Sequence, residues 1–312
     1  MEGDVVMYCT KHNHGMVHKI IRVLFMMVII TLLLVFILMI YYWANDRKLT
    51  VTHYSVTTNL PTPIRITHLT DLHNAEFGED NSDLIALVQA QSPDLIVMTG
   101  DMINKDDTNI EIICRLIQDL SQIADVYYGL GNHETSWIFN HGDTLESWLT
   151  EAGAIVLNND YIDVDLNDNQ LRLAGYMGYY GAVHMTTHTV EAQQAEIAFM
   201  KEFQDTDRYK ILLNHIPTAW VDWKYTDKYP VDLVFSGHYH GGLIRIPLLD
   251  RGLYAPYVGW FPPYTKGLYT GTEATCILSA GLGTEYNIPR LNNPPEIIVT
   301  DLIPEQDSPA TE

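Results

Sequence analysis

The chain has 312 residues, 47% apolar and 18% charged, enough to bury a large core and too apolar for extended disorder. Its formal net charge is -21; residues 1–45 sum to +1 (Lys11, Lys19 and Arg22 against Glu2 and Asp4), which leaves -22 for the remainder. Such an acidic chain repels phosphate backbones, which excludes a protein that grips long nucleic acid and means that a phosphate-handling site needs local cations.

From Val23 to Trp43 the sequence reads VLFMMVIITLLLVFILMIYYW, without a charge and with Thr31 as its clear polar interruption. A bilayer crossing needs roughly 20 apolar residues, and a buried core helix would show a polar face that this stretch lacks. Tyr41, Tyr42 and Trp43 stand where interfacial aromatics belong, and the preceding Lys11, Lys19 and Arg22 place the N-terminus inside, although Arg47 and Lys48 reduce the asymmetry. A cleaved secretory signal would have a shorter apolar region and a better cleavage site than Tyr-Tyr-Trp-Ala. The expected organisation is a cytoplasmic tail over 1–22, a transmembrane anchor over 23–43, a linker over 44–60, an extracytoplasmic catalytic domain over 61–302 and a tail over 303–312.

After Asn45, short β-branched runs alternate with amphipathic segments, the pattern of an α/β layer architecture. Strands are expected over Ile64–Leu69, Asp94–Met98, Val126–Leu130, Lys210–Leu213 and Asp232–Phe235, and helices over Ser82–Ala90, Asn109–Gln122 and Val190–Glu202. The stretches Arg251–Gly267 and Gly281–Pro295, rich in Gly, Pro and Tyr, read as long loops. Cys114 and Cys276 are read as free thiols in preference to a disulfide, because a lone pair so far apart implies no disulfide framework.

Each expected strand ends at polar residues: Asp71 and His73, Asp101, Asn132, His215, then His238 and His240. Carboxyl ends of strands are where α/β sheets bind ligands. One Asp, Asn or His in such a place is ordinarily a turn former, a cap or a satisfied core residue. The joint order carries the argument: Asp-x-His, Gly-Asp, Gly-Asn-His-Glu, Asn-His and Gly-His-x-His, each after an apolar strand. Oxygen and imidazole ligands without thiolate suit Mn²⁺, Fe²⁺ or Zn²⁺, and seven of them exceed what one tetrahedral ion takes.

These five blocks resemble the signature of calcineurin-like metallophosphoesterases over roughly Ile64–Val299. The resemblance implies a four-layer α/β/β/α sandwich of two mixed sheets, here preceded by one transmembrane helix. It implies two divalent ions, one on Asp71, His73 and His240, the other on Asn132, His215 and His238, bridged by Asp101. It also implies that His133 is not a ligand but the general acid beside a phosphate-ester substrate. Asp71-Leu72-His73-Asn74, His240-Gly241-Gly242 and Asn293-Pro294-Pro295-Glu296 are similar to membrane-anchored or exported bacterial phosphodiesterases of that family. Three positions depart from that branch: Tyr239 where Thr is more frequent, Leu243 for Gln, and Ala280 for an Arg. Arg245 and Arg290 are the candidate replacements for the missing cation, and His141 is a candidate pocket residue.

Two cations about 3.5 to 4 Å apart can clamp the attacking and leaving oxygens at phosphorus, and a bound water whose pKa falls to roughly 7 supplies the nucleophile. No Ser or Cys nucleophile motif is then needed. Glu134 reads as structural. His68, His184 and His188 carry less weight. Two alternatives stay open: a lipid-linked or nucleotide-sugar pyrophosphate hydrolase, with Trp260 and Phe261 resting on lipid, and a membrane-tethered binding module of the same fold without catalysis.

Overall fold

The computed structural model describes residues 2–45, 48–177, 190–246, 248–249, 251–256, 258–285 and 290–305. The chain divides into two units, Met1–Asn45 and Asp46–Glu312. The first is the helix α1 (Glu2–Asn45), whose Met16–Tyr41 stretch is long and apolar enough to cross a membrane. The described apolar side chains of Met16–Tyr41 are exposed.

In the second unit the strands are β1 (Thr50–Thr58), β2 (Ile64–Leu69), β3 (Leu95–Met98), β4 (Asp125–Gly129), β5 (Ala154–Leu157), β6 (Asp160–Leu166), β7 (Asn169–Gly175), β8 (Tyr209–Leu213) and β9 (Leu233–Ser236). Four two-residue strands follow, β10 (Arg245–Ile246), β11 (Arg251–Gly252), β12 (Tyr254–Ala255) and β13 (Gly259–Trp260), and then β14 (Gly267–Thr270), β15 (Thr275–Leu278) and β16 (Glu296–Pro304). One six-stranded sheet runs β1-β16-β2-β3-β4-β5, the other β14-β15-β9-β8-β7-β6. Strands β2 to β5 are parallel to one another, as are β7, β8, β9 and β15. Antiparallel neighbours (β16 against β2, β14 against β15, β6 against β7) make both sheets mixed.

Strand side chains alternate between faces, and the alternation sorts the core into layers. Leu95, Val97 and Tyr127 of the first sheet join Ile211, Leu213, Leu233 and Phe235 of the second in one buried cluster between the sheets. The intervening Ile96, Met98, Val126 and Tyr128 point outward. They pack on α2 (Ser82–Gln91), α3 (Glu111–Leu120), α4 (Asn132–His141) and α5 (Thr144–Glu151). Leu212, Val234 and Leu278 point the other way, onto Met200 and Phe203 of α6 (Val190–Gln204) and Trp220 of α7 (Thr218–Val221). The result is the expected four-layer α/β/β/α sandwich.

Residues 50–58, expected within a linker, form the edge strand β1, paired in parallel with β16 from Thr50↔Glu296 to Thr58↔Pro304. Its alternation of half-buried and exposed positions fits a strand covered on one side, a weaker signal than the solid apolar runs of the central strands. Cys114 and Cys276 are both free thiols.

Candidate metal centre

All parallel central strands deliver their loops to one end of the sandwich, where the polar residues anticipated from the sequence gather. Past β2 and β3 the ladder continues irregularly: Asp71 N–H donates to Gly100 O (3.0 Å) and His73 N–H to Asp101 O (3.1 Å). Asp71, His73, Asp101, His238 and His240 all hold positive φ, between 46° and 69°. That conformation costs an L-residue roughly 1–2 kcal/mol, so the surroundings must enforce it. Close packing does so at two glycines. A Cβ on Gly237 would lie 2.2 Å from Asp71 Oδ2, and one on Gly131 2.3 Å from Asp101 Oδ1.

Three buried groups have ligand atoms all within 4.8 Å of one another: Asp71, His73 and His240; His73, Asp101 and His133; Asp101, His215 and His238. Asp101 is common to two of them. Its Oδ2 lies 2.9 Å from His215 Nε2, and its Oδ1 accepts the His133 N–H at 2.8 Å. Asp71 receives the His238 N–H on both oxygens (3.0 and 3.1 Å) and stands 3.4 Å from His240 Nε2. The rings of His215 and His238 meet edge to face at 5.1 Å.

The imidazoles are oriented by hydrogen bonds from behind. His73 Nδ1–H donates to Asn104 Oδ1 (2.9 Å), His215 Nδ1–H to Thr99 O (2.7 Å) and His240 Nδ1–H to Gly283 O (3.3 Å). In each ring that leaves the Nε2 lone pair turned inward, the arrangement that a metal ligand requires. His133 is wired the other way: its Nδ1 accepts the Lys105 N–H at 3.0 Å, so its neutral ring carries the proton on Nε2. That Nε2 is 3.9 Å from Asp101 Oδ2 and 3.8 Å from Glu285 Oε2.

Burial favours the neutral form of three of the four candidate ligand rings, His73, His238 and His240. Burial pushes the His73 pKa down to about 4 and that of His238 to about 3, and holds His240 well below its ordinary value. Burial also raises Asp71 to about 6, against the pull of His215. Burial disfavours the charged form of Asp101 too, but the His215 charge and hydrogen bond, with His73 and His133, outweigh it and keep this carboxylate ionised. Reciprocally, burial opposes a charge on His215 while Asp101 and Asp71 raise its pKa to about 9. The pocket favours a cation between its carboxylates.

Whether the group fits divalent ions can be judged from atoms that otherwise lack a partner. His73 Nε2 and Asn132 Oδ1 are buried and accept no hydrogen bond. Such atoms cost roughly 1–3 kcal/mol each, which coordination would relieve. Asn132 opens α4 directly before His133. Oxygens and neutral imidazoles without thiolate agree with borderline divalent metals.

Glu134 is buried and structural. Oε2 accepts the N–H groups of Asp101 (2.7 Å) and Gly131 (2.8 Å), and Oε1 those of Met102 and the Tyr128 hydroxyl (2.8 Å each). Arg290 is buried beside the Asp71 turn, its guanidinium donating to Gly281 O (2.8 Å) and Ala280 O, and its charge helps depress His240. An arginine thus reaches the backbone of Ala280. Arg245 is buried too, bonded to Gly241 O (3.1 Å) and Thr265 Oγ1 (2.9 Å). His141 ends α4 on the surface, stacked on Trp137 and bonded to that residue's carbonyl. Asn104, Lys105 and Glu285, which contact His73 and His133, were not singled out from the sequence: they lie in loops without a motif. His184 and His188 lie outside the described residues.

A two-sheet sandwich with buried carboxylate–imidazole clusters at the carboxyl ends of its strands defines a metallohydrolase class. The calcineurin-like phosphoesterase model matches residues 64–242, more than half of the chain, and the chain belongs to that family. It is a metal-dependent phosphoric ester hydrolase. It is similar to phosphodiesterase YaeI of Escherichia coli (28% identical over 244 residues, 77% of this chain and 83% of that protein). An uncharacterised metallophosphoesterase of Aquifex aeolicus is 29% identical over 268 residues, covering 81% of this chain and 92% of its own length. Another, from Campylobacter jejuni, is 26% identical over 285 residues, 88% of this chain and 69% of that protein. Among solved structures, a phosphopantetheinyl hydrolase from Mycobacterium tuberculosis aligns with a TM-score of 0.44 at 12% identity, over 72% of this chain and 94% of that one.

Proposed function

We propose that the protein is a membrane-anchored, dinuclear phosphodiesterase. The observation that carries the reading is Asp101, whose carboxylate belongs at once to the His73 cluster and to the His215–His238 cluster, as a bridging ligand would. Asp71, His73 and His240 would hold one ion and Asn132, His215 and His238 the other. The ions, Mn, Fe or Zn, would supply Lewis acidity toward phosphoryl oxygens and a water of lowered pKa.

The chain's own residues do the rest. His133 turns its Nε2–H toward the departing ester oxygen and stabilises the charge that develops there; as general acid it acts from the imidazolium, with a second proton on Nδ1 in place of the Lys105 N–H bond, and returns to the neutral ring on transfer. Arg290 and Arg245 add positive charge on the His240 side for the substrate phosphate. Glu134 keeps the Asp101 and Gly131 turns in register. The reading extends to topology: Val23–Trp43 crosses the cell membrane once, residues 1–22 stay cytoplasmic, and the catalytic domain, from Thr50 onward, lies outside.

The test is metal analysis of the full chain in detergent, joined to a screen of aryl phosphomonoesters, phosphodiesters and pyrophosphates. Two ions per chain and turnover of diesters above monoesters are expected. A fully loaded protein inert toward all three would sink the catalytic reading and leave a binding module.

A further inference from the structure

Between the His240 turn and β14 the chain makes an excursion built from the β10–β11 and β12–β13 hairpins. Its base is fixed to the metal-centre turn. Leu253 N–H donates to Gly242 O (3.2 Å) and Ile244 O (2.7 Å), and Gly242 and Gly252 approach so closely that a Cβ on Gly242 would lie 2.4 Å from the Gly252 Cα.

Its outer surface is apolar and bare. Leu248, Leu249, Tyr254, Trp260 and Phe261 are all exposed, Leu249 at 63%, Trp260 at 69% and Phe261 at 57%. Outside α1, five of the nine exposed large apolar side chains among the described residues fall in this one stretch, 248–261. The Tyr254 and Trp260 rings meet at 5.5 Å with Phe261 next along the chain, and such a group marks an interaction surface, whereas scattered exposed residues do not. Charge points to the partner. Residues 243–272 hold one acidic residue, Asp250, in a chain with 39; of their cations Arg245 is buried, Lys266 is paired with Glu296, and Arg251 is exposed. Exposed apolar and aromatic side chains beside one exposed cation and poor in carboxylates suit a lipid interface.

The domain's first strand starts at the same end. Thr50 N–H donates to Pro295 O (2.9 Å), and Glu296 Oε2 accepts both Thr52 Oγ1–H (2.6 Å) and Lys266 Nζ–H (2.9 Å). Nearby Asn293 Nδ2–H donates to His240 O (2.7 Å). The start of β1, the end of the excursion and the His240 turn therefore meet on the Asn293–Glu296 segment.

We infer that the Leu248–Phe261 surface rests in the headgroup region of a lipid bilayer, which brings the metal centre to phosphoesters carried by membrane amphiphiles. The inference rests on the anchored-hydrolase reading, deepening it to a substrate class. Trp260 and Phe261 act as a lipid contact and take no part in the chemistry.

The test uses the full chain in phosphatidylcholine vesicles whose acyl chains are brominated, comparing tryptophan quenching of wild type with Trp260→Phe. The difference between them isolates Trp260 from the other tryptophans. Expected is a quenched, blue-shifted Trp260 component. Trp260→Ser/Phe261→Ser should lower turnover of a vesicle-borne phosphoester at least tenfold with the rate on a soluble aryl phosphodiester unchanged. An unquenched Trp260 in a chain that resists carbonate extraction overturns the lipid contact and leaves the anchor standing. Extraction of the chain into the carbonate wash with Trp260 unquenched overturns both. A blue shift in lipid-free detergent that depends on protein concentration assigns the patch to a second copy and overturns it equally. Equal losses on vesicle-borne and soluble substrates would refute the amphiphile assignment.

Discussion

The Lys105 N–H donates to Nδ1 of His133 at 3.0 Å, the reverse of the wiring of His73, His215 and His240, each of which donates from its Nδ1. One backbone amide thus separates a proton donor from rings that present lone pairs. His133→Ala is expected to lower kcat on an aryl phosphodiester by about 10²–10⁴-fold with metal content intact. A variant with wild-type kcat would refute the acid role.

Asn104 grips His73 twice, accepting from its Nδ1 and donating Nδ2–H to its carbonyl at 3.2 Å. Partners behind a ligand typically contribute about 10–100-fold in metal affinity. Asn104→Ala should weaken metal binding by that factor in a titration monitored by activity, with kcat recovering at saturating metal. Unchanged affinity would remove Asn104 from the centre.

The Glu134 carboxylate accepts four hydrogen bonds, from Asp101, Met102, Gly131 and Tyr128. Glu134→Gln replaces one acceptor oxygen by an NH₂ that faces donors. A loss of about 2–3 kcal/mol is expected. It would be read as a lower Tm of the metal-loaded protein in detergent, and an unshifted Tm would contradict the role.

His68 is buried between the sheets, its Nε2 2.8 Å from Thr99 Oγ1, and burial lowers its pKa to about 3. The unfolded chain protonates this side chain near pH 6.5 and the native chain resists it, so its contribution is full above about pH 6.5 and declines as pH falls toward about 3. In His68→Gln the fall in stability from pH 6.5 to 5 should be shallower by about 1.4 kcal/mol per pH unit. Parallel wild-type and variant profiles would show that His68 titrates normally.

The parts of the centre that were legible in the sequence are those written next to one another. Asp71 with His73, and His238 with His240, each follow a solid apolar strand, and their order along the chain carried the family resemblance. Asn104 and Glu285 were not legible. Each is a single polar residue in a loop, and its partner lies 31 positions away for Asn104 and on a different element for Glu285. Edge strands such as β1 and β6 were likewise missed, because a half-exposed strand rich in Thr and Asp lacks the unbroken apolar run that marks a strand covered on both faces.

Asp71, His73, Asp101 and Asn132 follow strands of one sheet, whereas His215, His238 and His240 follow strands of the other. Ions coordinated from both sides would act as rivets across the seam, joining halves of the sandwich that otherwise cohere through apolar packing and a few hydrogen bonds such as His215 to Thr99 and His238 to Asp71. Chelation would then loosen the architecture as well as silence it, with amide hydrogen exchange quickening first at the strand tips that carry these residues.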